Sequence, residues 1–112
     1  MIMIPVDEAD AFDRLAIAGV KDDRQLSLKL YQAICKEITH AAAETITTST
    51  LYADLVSANL RTFEWVEKAK RNECSAQDVD RANYQRYLAK KALQEKFFPK
   101  SPLTETKTER PY

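Results

Sequence analysis

The sequence predicts an all-α protein, a compact antiparallel bundle of about four helices over residues 1–98 followed by an irregular, proline-containing tail over residues 99–112. Three observations predict it. Glycine occurs once in 112 residues, which leaves little to build turn-rich β structure with. The chain is rich in Ala, Leu, Lys, Glu and Arg, all good helix formers. Apolar residues recur at the spacing of a single helix face, in segments separated by capping residues. The length makes one domain the default, near the small end of the usual range.

The first helix is expected to start with Asp7 as N-cap, because Asp10 three residues later completes a capping-box pattern and Pro5 precedes the entry. Gly19 suggests its end. Ala9, Phe12 and Ala16 share one face, and Asp10, Asp13, Arg14, Ile17 and Lys21 gather on the other. Asp22 or Asp23 caps a second helix expected to run to about Glu44, with Leu30, Tyr31, Ile34, Ile38 and Ala41 as its stripe. The run "TITTST" reads as a tight loop, since its hydroxyl and β-branched residues favour caps over helix interiors, and Ser49 or Thr50 caps the next helix.

The third helix, about Leu51 to Arg71, carries Tyr52, Leu55, Val56, Phe63 and Val66 in one stripe with Asn59 in its middle. Ser75 and Asp78 form a capping signature for a fourth helix, which Pro99 stops. The tail has three prolines and no period; its composition alone reads as disorder.

Seventeen basic residues balance seventeen acidic ones, so no net field steers the chain to nucleic acid or an anionic membrane. "MIMIPV" lacks the basic region of a signal peptide, and no apolar run approaches about 18 residues. A cytoplasmic protein is expected. Without a glycine-rich phosphate loop no cofactor is expected. Cys35 and Cys74 stand apart, without zinc-ligand spacing, and read as inert thiols. His40, the sole histidine, reads as structural.

"NYQRYLAK" is the unusual stretch. Asn83, Arg86 and Lys90 fall in the same stripe of the fourth helix as Val79, Ala82, Leu93 and Phe97, within about 60° of Arg86. A second, weaker stripe of Tyr84, Leu88 and Ala92 is the alternative core face, which would leave the trio flanking or exposed. Long Arg and Lys side chains also lie along apolar surface and reach water. Asn59 poses the same question on the third helix, because an amide in a core stripe needs a hydrogen-bonding neighbour or a ligand.

These residues carry a resemblance. "VDEADAFDRLAIAGVK" is similar to a pattern V-S-V-G-E-x-x-D-K-x-T-I-x-x-I-K, with Asp10 for the Glu, Asp13 for the Asp and Arg14 for the Lys, then Ile17, Val20 and Lys21. "NLRTFEWVEKAK" is similar to N-x-x-L-W-x-x-E-D-x-I-R through Asn59, Phe63, Glu67 and Lys70. Asn83, Arg86 and Lys90 match N-D-x-R-x-x-x-K, and Glu109, Arg110 and Tyr112 match a terminal E-K-S-Y. The pattern resembles a small, uncharacterised all-α domain family of bacteria and their phages, often encoded beside glycosyltransferases. Ala9 stands for its Gly, Ala16 for its Thr, Phe63 for its Trp and Val66 for its middle Glu. The resemblance implies a shared polar site, and a tail that packs back through Tyr112.

Three functional readings stay open. In a binding or accessory module, Lys70, Arg86 and Lys90 hold a small anionic ligand, Asn59 and Asn83 orient it, and Asp10 and Asp13 orient the cations. The same charges otherwise form an internal network that binds nothing. An enzyme reading rests on the i, i+3 carboxylate pairs Asp10/Asp13 and Glu64/Glu67, the arrangement of magnesium-dependent all-α nucleotide pyrophosphohydrolases. A homo-oligomer or protein partner is expected to cover some of Tyr31, Tyr52, Trp65, Tyr84, Tyr87 and Phe98.

Overall fold

A computed structural model describes residues 8–99. Among them the chain is all-helical, with five helices: α1 Glu8–Val20, α2 Arg24–Glu37, α3 His40–Thr47, α4 Thr50–Lys70 and α5 Ala76–Phe97. The expected Asp7 cap and residues 100–112 of the expected tail, Tyr112 among them, lie outside the described residues.

The count is five because the expected second helix breaks. Ile38 closes α2 by donating its N–H to the Ile34 carbonyl, and Thr39 turns to extended backbone and caps α3, its Oγ1 accepting from the Ala42 N–H at 3.0 Å. Two β-branched residues in succession weaken the helix, and the Thr hydroxyl offers a competing cap. Packing supplies the larger reason. On a continuous helix Ala43 would lie about 180° from Ile34, yet both are buried in the core. Only a change of axis brings both sides inward.

"TITTST" is correspondingly more helical than its composition suggests. Thr45, Thr47 and Thr48 donate their hydroxyls to the carbonyls of Ala41, Ala43 and Glu44 one turn back, so α3 runs to Thr47 and only Thr48 and Ser49 join it to α4. Ser49 caps α4 by accepting from the Tyr52 N–H, and Ser75 and Asp78 form a reciprocal capping box on α5.

Helix α1 ends at Val20, one residue beyond the expected Gly19. The left-handed turns fall at Asp22 (φ 55°) and Asn72 (φ 58°), after α1 and α4. Each is followed by an N–H that reaches back five residues, Asp23 to the Ala18 carbonyl and Glu73 to the Lys68 carbonyl. Short polar side chains tolerate this conformation where bulky ones do not, which lets a chain with one glycine make tight turns.

Helix α1 sits between α2, α4 and α5. Ala9 meets Gln94 and Asp13 meets Arg86, so α1 and α5 run antiparallel. Phe12 meets Tyr52 and Asp13 meets Asn59, so α1 and α4 advance in the same sense, the return being made by α2 and α3. Phe12, Leu55 and Leu93 are the largest fully buried side chains. Tyr84 and Leu88 are 39% and 38% exposed, so the stripe containing Arg86 is the inner face of α5 and the alternative stripe is the outer one.

Candidate functional site: a polar ladder between α1, α4 and α5

Arg86, Lys90 and Gln94 are spaced four apart on α5 and therefore line one edge of it. Each meets a residue of α1 in reverse order. Arg86 donates Nη2 to Asp13 Oδ2 at 2.6 Å and Nε to Asp13 Oδ1 at 3.2 Å, a two-pronged pairing. Lys90 Nζ donates to Asp10 Oδ1 at 2.5 Å. Gln94 donates Nε2 to Glu8 Oε1 at 2.6 Å and accepts from the Ala9 N–H at 2.8 Å.

Helix α4 closes the ladder from the third side. Asn59 donates Nδ2 to Asp13 Oδ1 at 2.9 Å and to the Leu55 carbonyl at 3.0 Å. Thr62 donates to the Ala58 carbonyl at 2.8 Å and lies 3.3 Å from the Ala82 carbonyl on α5. Asp13 is only 3% exposed, and both its oxygens are engaged. Among the described residues no buried side-chain nitrogen or oxygen lacks a partner. A carboxylate this deep is tolerable only because a guanidinium and an amide face it.

The aspartate is felt nearby. Tyr52 packs edge-on against Phe12, and burial first, then the Asp13 carboxylate, pushes its phenol up to about 12.

Of the expected site residues, Asn59, Arg86 and Asp13 meet, and Lys90 with Asp10 forms the next rung. The others do not join them. Arg14 is exposed on α1, because the charged side of that helix is split and Asp13 alone is drawn fully inward. Lys70 and Glu67 pair with each other at 3.2 Å at the exposed end of α4, too far along the helix for the ladder. Asn83 is half-buried and contributes no hydrogen bond to the ladder. Asp10 and Asp13 are occupied by α5 cations and Glu64 is exposed, so the two carboxylate pairs do not assemble. Among the described residues no three His, Cys, Asp or Glu side chains gather as a metal site.

Gln94 and Thr62 were not expected from the sequence. Gln94 continues the four-residue spacing of Arg86 and Lys90, a signal that was present. Thr62 follows Asn59 by three residues and carries no comparable signal.

At the C-terminal end of α1 the ladder opens to solvent. A cleft of about 180 Å³ is lined by Ile17, Val20, Lys21, Asn59, Thr62, Phe63 and Arg86. Lys21 is exposed and makes no ion pair among the described residues. No helix among the described residues is long and apolar enough to cross a membrane.

The class that fold and site define is an all-helical protein with an internal ion-pair ladder between its helices. The chain matches no family model, no curated protein and no solved structure.

Proposed function

We propose that the chain is a non-catalytic binding or accessory module whose ligand contact is the cleft at the α1 end of the ladder. The observation that carries this reading is convergence: Lys21, Asn59 with Thr62, and Arg86 come from α1's end, α4 and α5 into one open cleft. Asp13 and Asn59 hold this end of the ladder rigid before any ligand arrives, which lowers the ordering cost of binding. Lys21 supplies the adjustable charge. Ile17, Val20 and Phe63 supply apolar walls. The volume is below the roughly 300 Å³ of a drug-sized pocket, so it suits an anionic head group, the remainder of the ligand lying outside. The resemblance to a family encoded beside glycosyltransferases supports nucleotide-sugars or glycan intermediates as the ligand class.

Thermal melting with inorganic phosphate and with UDP-glucose tests the proposal. A rise in Tm with either probe is expected in the parent protein and is expected to vanish in Lys21→Ala, which removes no internal contact. No rise with either probe, or an equal rise in Lys21→Ala, overturns it.

A second reading is favoured by the completeness of the pairing. The ladder then serves only to lock α1 against α4 and α5, and the chain works through its outer surface, with a second copy covering the exposed apolar side chains.

A further inference from the structure

The break between α2 and α3 has a chemical consequence. Cys35 and His40 are five residues apart, which on an unbroken helix would separate them by about 140° around the axis. Across the Ile38–Thr39 joint they meet, with Cys35 Sγ 3.4 Å from His40 Nδ1. The imidazole is fixed from a second side by the Tyr31 ring, edge-on at 5.7 Å and 83°. Cys35 is half-buried and His40 is exposed. Burial, followed by the neighbouring Cys35 and Glu44, raises the Tyr31 phenol above its ordinary value. The chain's sole histidine is thus held against one of its two cysteines. A nucleophile and a base within hydrogen-bond reach, with the base oriented by a third group, is the arrangement that activates thiols.

We propose that Cys35 and His40 form a thiol–imidazole pair that makes Cys35 a site of exchange with small disulfides of the oxidised-glutathione class. His40 Nδ1 takes the thiol proton, and the Cys35 sulfur attacks one sulfur of the disulfide. The disulfide's S–S bond breaks as the new one to Cys35 forms, and the departing thiolate recovers the proton from the imidazolium and leaves as a thiol. The adduct stands at the helix joint, where Cys35 packs against the core.

Cys74 is the built-in comparison, since it is also half-buried but donates to the Trp65 carbonyl at 3.3 Å and has no such base in contact among the described residues. The full chain is treated with oxidised glutathione, and separately with iodoacetamide, across neutral pH, and each cysteine is followed by mass spectrometry. Cys35 is expected to react at least about tenfold faster than Cys74 at pH 7. His40→Gln is expected to remove that advantage without changing the rate at Cys74. Equal rates at the two cysteines of the unsubstituted protein overturn the proposal with no variant needed. An undiminished Cys35 rate in a folded His40→Gln protein overturns it as well.

Discussion

Asp13 sets the energetics at the scale of single residues. Its carboxylate is nearly inaccessible, while the Arg86 side chain is 30% exposed, so the two partners are not equivalent. Arg86→Leu strands a buried charge and is expected to cost about 3–5 kcal/mol. Replacing both residues by leucine is expected to cost much less than that, because neither charge is left alone. Urea denaturation of the single and double variants measures the difference, and a double variant as unstable as Arg86→Leu would contradict the account. Tyr52 provides a pH signature. Its folded phenol ionises near 12 instead of its ordinary 10.0, so its contribution is complete below pH 10 and lost as the pH rises toward 12. The fall in Tm across that window is expected to be shallower in Tyr52→Phe.

Helix ends decide more than helix centres at the scale of elements. Asp23, Thr39, Ser49 and Ser75 each satisfy an N–H of the first turn. Three of these caps were legible, since each stands just before a periodic segment. Thr39 was not, because the apolar stripe of α2 runs past it. At the other ends, Asn72 bears a steric cost for its left-handed backbone that glycine would avoid. Asn72→Gly is expected to stabilise the protein by a few tenths to about 1 kcal/mol, whereas Gly19→Ala, inside α1 with open space around its missing Cβ, is expected to stabilise it through helix propensity by a similar amount. Chemical denaturation resolves both.

For the whole molecule the open question is its outer surface. Phe12 takes up Tyr52 and Phe98, and His40 takes up Tyr31, so part of the expected aromatic interface is used inside the fold. Leu60, Phe63, Tyr84 and Leu88 stay exposed on α4 and α5. If a second copy covers them, Tyr84→Ser with Leu88→Ser is expected to convert a dimer to a monomer in sedimentation velocity. A parent protein that sediments as a monomer would end that second reading and leave the ligand reading untouched.

By itself, the sequence determined the helical class and three of the helix caps, and it set Asn59 in the core stripe of α4 and Arg86 on one of two candidate inner faces of α5. Spacing and capping chemistry are local, and local patterns fix which residues share a face. Only tertiary structure decided that Asp13 meets both of them, that Lys70, Glu67, Arg14 and Asn83 stand aside, and that one expected helix is two. Those outcomes depend on which helix lies opposite, and on Ile34 and Ala43 both reaching one core from what would have been opposite sides of a single rod.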